Sequence, residues 1–164
     1  MKTLYLVRHA KSSWEDPNLS DFERPLNKRG LRDAPFMGNI LSQKIECPQM
    51  VISSSAQRAI TTANIIAEYL NFDRNKIVKE EKVYHAVVSD LMRIIYSVPD
   101  KVNSLMLFGH NPTFTQTVNY LSDKKIENIP TCGFVQINFR LDSWNDLEGN
   151  TGKQVLFEFP KKYL

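Results

Sequence analysis

Near its start the chain reads Thr3-Leu4-Tyr5-Leu6-Val7-Arg8-His9-Ala10, an apolar run that stops at an arginine beside a histidine. Apolar residues in unbroken succession are typical of a strand that is buried on both faces of a sheet. Neither Arg8 nor His9 belongs inside such a sheet. We therefore expect the strand to deliver both side chains to its carboxyl end, where open α/β sheets bind their ligands.

The same pattern returns later in the chain, where the apolar run 104–108 ends in Gly109-His110. Because the carboxyl ends of parallel strands share one edge of the sheet, the two histidines are expected to lie near each other. Arg58 falls in the first turn of a helix predicted over Ala56 to Leu70, directly after a short strand at 50–52. It is expected at the same edge.

Strands alternate with helices along most of the chain. The other predicted elements are a helix capped by Asn27 that runs to about Gln43 with a kink or restart at Pro35, an edge strand at 77–78, helices over 91–96 and 112–121, and strands at 134–139 and 155–159. The alternation predicts an α/β fold: a three-layer α/β/α sandwich with a mostly parallel central sheet and helices on both faces. We expect one domain, residues 1–164, in which the last two strands pair antiparallel.

Composition excludes several classes of function. The 164 residues, 42% hydrophobic and 24% charged, suit one globular domain. A net charge of +3 is too small to indicate nucleic-acid binding, and no apolar stretch approaches the ~20 residues of a membrane span. The start of the chain lacks a signal-peptide pattern, and Cys47 and Cys132 lack metal-ligand spacing. We expect reduced cysteines, a cytoplasmic location and, by default, a monomer.

Arginines and histidines gathered at one edge indicate a phosphate-handling site. Arg8 and Arg58 are suited to hold phosphoryl oxygens through bidentate, charge-assisted hydrogen bonds. A neutral imidazole such as that of His9 can attack phosphorus through one nitrogen while a backbone acceptor fixes the other. Nearby positive charge favours this unprotonated form. A protonated His110 would stabilise the charge that spreads over the equatorial oxygens in the transition state.

Three separated motifs, Leu6 to Ala10, Ser53 to Ala59 and Gly109 to Asn111, resemble those of the histidine phosphatase superfamily, also called the phosphoglycerate-mutase-like family. The segment from Lys11-Ser12-Ser13-Trp14 to Asp21-Phe22-Glu23-Arg24-Pro25-Leu26 is most similar to the SixA-type phosphohistidine phosphatase branch. Many members carry glycine after the Arg-His pair, the RHG motif, where this chain has Ala10.

The resemblance implies that His9 is the nucleophile that becomes phosphorylated. It also implies that Arg8, Arg58 and His110 form the phosphate pocket, and that neither a metal nor an organic cofactor is needed. Arg24 either reaches the phosphate from its loop or forms a surface ion pair with Asp21.

Glu81-Lys82-Val83-Tyr84 resembles the acid-bearing segment of the mutases, so Glu81 is the first candidate for a general acid. Asp21 and Glu23 are the other candidates. A phosphohistidine substrate leaves as imidazole, a far better leaving group than an alkoxide, and has less need of an acid. Trp14 and Phe22 either cover the site or anchor their loop, with anchoring favoured.

The resemblance and the short chain imply a phosphatase that hydrolyses phosphohistidine on a protein, such as a histidine phosphotransfer domain. Few residues are available to enclose a small phosphorylated substrate. Two alternatives remain open. One is a phosphatase of small phosphate esters or of other phosphoamino acids. The other is a catalytically silent module that binds phosphate or a phosphoprotein.

Overall fold

A six-stranded sheet forms the middle layer of the structure, a computed structural model that describes residues 1–164. The strands are β1 (Lys2–Arg8), β2 (Met50–Ser53), β3 (Val78–Lys79), β4 (Ser104–Gly109), β5 (Phe134–Phe139) and β6 (Lys153–Glu158). They lie in the order β3-β2-β4-β1-β5-β6. Three neighbouring pairs are parallel: β1 with β4, β2 with β4, and β2 with β3. Two pairs are antiparallel: β1 with β5, and β5 with β6. The predicted mostly parallel sheet and the antiparallel final pair are confirmed.

Two separate cores show that helices cover both faces of the sheet. The helices are α1 (Lys28–Ser42), α2 (Gln57–Tyr69), α3 (Val88–Tyr96) and α4 (Thr113–Leu121). Met37 of α1 and Ile66 of α2 lie in one core, and Leu91 of α3 and Phe114 of α4 lie in the other. The three-layer α/β/α arrangement is therefore confirmed.

β1 contributes to both cores, which explains its unbroken apolar run. Leu4 and Leu6 belong to the core under α3 and α4, whereas Tyr5 and Val7 belong to the core under α1 and α2. Successive side chains of a strand point to opposite faces, so a strand buried on both faces needs apolar residues at every position.

The path of the chain places a crevice at the carboxyl ends of β1 and β4. These strands are neighbours in the sheet, with Arg8 opposite Gly109. The chain leaves β1 toward α1 on one face and leaves β4 toward α4 on the other face. Connections that diverge in this way open the crevice in which α/β folds bind ligands.

Asn27 caps α1 as predicted, since its side-chain oxygen accepts a hydrogen bond from the Gly30 N–H at 2.9 Å. The predicted restart at Pro35 is wrong, because α1 continues through it; the alternative, a kink within the helix, stays a prediction. Ala34 and Met37 flank the proline, and both are fully buried in the same core. Burial on both sides of Pro35 holds the two halves of the helix together although the proline lacks an N–H donor.

Smaller differences concern the second half of the chain. β6 begins two residues earlier than predicted, at Lys153, and ends at Glu158. The connection from β5 to β6 contains a short 3-10 turn, Trp144–Asp146, whose Trp144 is fully buried. Both cysteines are free, Cys47 exposed and Cys132 buried. None of the helices has the length and apolar character needed to cross a lipid bilayer.

Gly109→Ala should destabilise the fold, because its Cβ would lie 2.4 Å from Cζ of Phe114 and 2.9 Å from Cγ1 of Val83, both buried. We expect a loss of about 1–3 kcal/mol in the free energy of unfolding, measured by urea denaturation. The control is Gly149→Ala, whose Cβ would first meet the exposed ring of Tyr120. That ring can turn away, so a loss below about 0.5 kcal/mol is expected. Equal losses in the two variants would contradict this packing.

Candidate active site

His9 stands directly after β1 and is held in one orientation. Its Nδ1 lies 2.7 Å from the carbonyl oxygen of Ala10. A carbonyl only accepts hydrogen bonds, so Nδ1 carries the ring hydrogen and Nε2 keeps its lone pair. The expected backbone acceptor is therefore present. The backbone N–H of His9 donates to the carbonyl of Gly109 at 3.0 Å, which ties the residue to the end of β4.

His110 is brought beside His9 by the register of β1 and β4, with 5.1 Å between the ring centroids. Its Nε2 lies 2.8 Å from Oγ of Ser54. That oxygen already accepts from the N–H of Ala56, so its own hydrogen is available to donate to Nε2. Nδ1 of His110 is buried without a hydrogen-bond partner in the chain.

Burial keeps both histidines neutral. Loss of solvent lowers the pKa of His9 to about 4 and the pKa of His110 to about 3, and neighbouring Arg58 acts in the same direction on both. The unprotonated form expected for His9 is confirmed. His110 is neutral in the free pocket, because the cost of burying its charge outweighs the attraction of nearby Asp21. A protonated His110 in the transition state stays a prediction.

Three arginines converge on the same place. Arg8 donates from one terminal nitrogen to the carbonyl of Ile129 at 2.9 Å, and its Nε is buried without a partner. Arg58 and Arg24 are also buried, with 7% and 6% of their surfaces exposed. Buried guanidinium groups are costly unless anions or polar atoms surround them. The pocket is therefore built to receive an anion.

Asp21 is the carboxylate that balances this charge, and it holds two of the arginines. Its Oδ2 accepts from Arg58 at 2.9 Å, and its Oδ1 accepts from Arg24 at 2.9 Å. The backbone carbonyl of Asp21 accepts a further bond from Arg58 at 2.6 Å. Arg24 thus forms the ion pair with Asp21, although it is buried rather than at the surface, and its other nitrogens donate to the carbonyl of Ser13 and to Oγ of Ser12. Its reach to the phosphate stays a prediction.

Tyr84 completes the environment of this carboxylate, because its hydroxyl donates to Oδ2 of Asp21 at 2.6 Å. This hydrogen bond and those from Arg58 and Arg24 hold the pKa of Asp21 far below its usual range. Asp21 is ionised at neutral pH, so it has no proton to give and does not suit the general-acid role considered for it. Sequence reasoning missed the contact between Asp21 and Tyr84.

The structure does not bring Glu81 into the pocket. A 3-10 turn, Glu81–Val83, buries Val83 beneath the loop and leaves Glu81 exposed. The next residue, Tyr84, turns toward the site instead, with its ring 5.5 Å from that of His110. Glu23, the remaining candidate acid, is exposed and bonded to Ser20. The geometry gives no support to either glutamate as the proton donor.

The aromatic residues of the 11–28 segment have different surroundings. Phe22 packs edge-on against Tyr84 at 5.0 Å and anchors the segment, as favoured from the sequence. Trp14 is 74% exposed, and its ring lies over the guanidinium of Arg24 at 3.2 Å. Trp14 therefore covers the outer side of Arg24.

His85 is exposed at the rim of the site, and its ring lies 3.9 Å from that of Tyr84. Its backbone has a φ of 59°, in the left-handed region. This position suits a residue that packs at the rim. No group of three or more histidine, cysteine, aspartate or glutamate residues in the structure is arranged to hold a metal ion.

Protein stability should fall as the pH drops from about 6.5 to about 4, the ordinary and the folded-state pKa of His9. In that interval the unfolded chain binds more protons than the folded chain, so acid favours unfolding. At about 1.4 kcal/mol per pKa unit, the His9 contribution is about 3 kcal/mol. His9→Asn, which keeps a side-chain N–H for Ala10, should remove this share, while the share of His110, whose pKa is also lowered, to about 3, remains. The loss of stability with acid, measured by urea denaturation at stepped pH, should therefore be about half as large as in the wild type.

The control for this titration is His85→Asn, since asparagine tolerates a positive φ. This variant should keep the pH dependence of the wild type. The account would be contradicted by a His9→Asn variant whose stability falls as steeply with acid as that of the wild type.

Comparisons with known proteins agree with this geometry. The sequence profile of the histidine phosphatase superfamily (branch 1) matches residues 4–84. An uncharacterized chloroplastic protein of Arabidopsis thaliana is 32% identical over 154 residues, which cover 88% of this chain and 70% of that protein.

Solved structures give the same result. A SixA protein of Agrobacterium tumefaciens, assigned as a phosphohistidine phosphatase, is 25% identical; the match covers 97% of this chain and 98% of that one, with a TM-score of 0.81. The protein histidine phosphatase SixA in complex with tungstate matches over 99% of both chains with a TM-score of 0.82. Its 20% identity supports a shared fold.

The profile match contains β1 from Leu4 to Arg8 and His9 directly after it, and it extends to Tyr84. The structural matches span nearly the whole chain, including β4 and His110. Together they support phosphatase activity on a phosphorylated substrate. The chain therefore belongs to the histidine phosphatase superfamily, and its architecture is of the SixA type.

Proposed function

We propose that this phosphatase hydrolyses phosphohistidine carried by a protein, through a phosphohistidine intermediate on His9. The observation that carries the proposal is the set of nitrogens converging on one buried place. Nδ1 of His9 is fixed by Ala10, which leaves Nε2 unprotonated. Nε of Arg8 and Nδ1 of His110 are also buried, and neither has a partner in the chain; in the proposed mechanism both act as N–H donors. Oxygens of a phosphoryl group would satisfy both donors.

In the first step, Nε2 of His9 attacks phosphorus, and the bond between phosphorus and the substrate's ring nitrogen breaks. His9 is available for this attack at neutral pH because its pKa is lowered to about 4. Its fixed ring loses little orientational freedom on the way to the transition state. If the substrate ring is protonated at its other nitrogen, it leaves as neutral imidazole and needs no further proton.

In the second step, water attacks the phosphorus of phosphorylated His9. The bond from phosphorus to Nε2 breaks, the electron pair returns to the ring, and inorganic phosphate leaves with the oxygen and both hydrogens of the water. Arg8, Arg24 and Arg58 are the proposed ligands of the equatorial oxygens in both steps. His110 donates from Nδ1, and the arrival of a dianion would raise the low pKa that it has in the free pocket.

The surroundings of the pocket favour a phosphoramidate over an alkyl ester. An alkoxide leaving group needs a proton in the transition state. Asp21 is ionised, and Glu81 lies exposed outside the pocket. Imidazole needs no such donor, which makes phosphohistidine the substrate that this arrangement serves best. A histidine phosphotransfer domain is the proposed kind of carrier.

His9→Ala should abolish the release of phosphate from a phosphorylated histidine phosphotransfer protein, because the attacking nitrogen is gone. The measurement is phosphate release, with para-nitrophenyl phosphate tested alongside and circular dichroism used to verify folding. Gln43→Ala, at the exposed end of α1, is the control and should keep its activity. Unchanged hydrolysis by folded His9→Ala would exclude the proposed mechanism. Strong His9-dependent activity on the aryl ester alone would instead favour an ester phosphatase.

Arg58→Ala should lower kcat/KM for the same phosphoprotein by about a hundredfold or more, because it removes a buried positive charge that stabilises the transition state. Arg58→Lys, which keeps the charge without the planar fork, should retain an intermediate activity. Steady-state kinetics of the two variants test this order. A loss of less than about threefold in Arg58→Ala would remove Arg58 from the phosphate pocket.

A further inference from the structure

An open groove leads away from the phosphate pocket and is not used by the chemistry described so far. It has a volume of about 480 Å³ and begins at Arg58 and His110. The loop 83–87 forms one wall, and residues 110–116 at the start of α4 form the other. The hydroxyl of Thr113 donates to the carbonyl of Ala86, which ties the two walls together. A group bonded to phosphorus on the side away from His9 has this groove as its exit.

The charge of the groove is unusual for a site next to a phosphate pocket. Of the side chains that line it, only that of Arg58 carries a permanent charge. The terminal nitrogens of Arg58 bind Asp21, at 2.6 and 2.9 Å, and in the proposed mechanism they also hold the phosphoryl group. His110, whose Nε2 lies 2.8 Å from Oγ of Ser54, is likewise engaged with the phosphoryl group in that mechanism. An anionic group in the groove would lose water and gain no free cation.

The remaining walls suit a flat or apolar group. The rings of Tyr84 and His85 lie side by side on one wall, and their orientation is fixed in part by the hydrogen bond from Tyr84 to Asp21. Val87 is 58% exposed at the same wall. Gln116 lies on the opposite wall, exposed and uncharged. Aromatic faces and a neutral amide bind planar rings without a charge.

We propose that this groove is the leaving-group subsite, and that it accepts neutral, planar leaving groups while rejecting those that carry a carboxylate or a second phosphate. The inference rests on the proposed function, because it concerns the group released from phosphorus. The groove discriminates mainly because an anionic leaving group finds no free cation there, and less because the preferred leaving group makes a strong contact.

Two probes of the same shape test this selectivity, N-phosphorylated imidazole-4-acetamide and N-phosphorylated imidazole-4-acetate. Both contain the phosphorus–nitrogen bond of the proposed substrate, and they differ in the charge of one distal group. The wild type should hydrolyse the amide with a kcat/KM about tenfold or more above that of the carboxylate. Free phosphate released from each probe is the readout.

Gln116→Lys supplies the missing cation and should reduce this preference about fivefold or more, by raising kcat/KM for the carboxylate. Gln43→Lys is the matched control, because Gln43 is exposed at the end of α1, just before the chain enters β2 at the opposite edge of the sheet. It makes the same change in total charge and should keep the wild-type preference. Val87→Lys repeats the test from the other wall in case Gln116→Lys folds poorly.

The possible failures are distinguishable. Equal kcat/KM values for the two probes in the wild type would overturn the subsite and leave the proposed function standing. A preference that neither Gln116→Lys nor Val87→Lys reduces would also overturn it. Hydrolysis of neither probe, beside normal phosphate release from the phosphorylated histidine phosphotransfer protein, would overturn the subsite. Failure on that protein as well would contradict the proposed function.

Discussion

The parallel pairing of β1 with β4, with Arg8 opposite Gly109, is the constraint on which the rest of this structure depends. It places the residues that follow each strand side by side, so the rings of His9 and His110 stand 5.1 Å apart. A slip of one residue would send every side chain of β1 to the wrong core. The register that packs the centre of the protein is thus the register that assembles the site.

The same burial that stabilises the sheet sets the chemistry at its edge. Taking His9 out of water lowers its pKa to about 4 and makes it a ready nucleophile at neutral pH. The site also holds arginines whose positive charge is unfavourable when it is removed from water. The carboxylate of Asp21 neutralises part of this charge through its ion pairs with Arg24 and Arg58. An arriving phosphoryl group completes that balance. Beyond Arg58, no side chain that lines the groove carries a permanent charge. The phosphate and the group that carries it are therefore recognised by different residues.

The sequence predicted the parts of the site that local patterns control. Apolar runs that end in Arg8-His9 and Gly109-His110 are visible without a structure, because a strand buried on both faces must be apolar throughout. The bond from Tyr84 to Asp21 joins positions 63 residues apart, and no local periodicity reports such a contact. Glu81 was a candidate because a short segment resembles that of the mutases. In the structure, Glu81 begins a 3-10 turn that places Tyr84 beside His110 and leaves Glu81 outside the pocket.

The central claim, that His9 carries the phosphoryl group between the two steps, is tested most directly by trapping the intermediate. A phosphorylated histidine phosphotransfer protein would be mixed with the enzyme, quenched in alkali within milliseconds and digested, and the peptides examined by mass spectrometry. The account predicts an acid-labile phosphoryl group on Nε2 of His9 that forms and decays at the rate of turnover. Phosphate release with the phosphoryl group on another residue, or with none trapped on the enzyme during turnover, would contradict it.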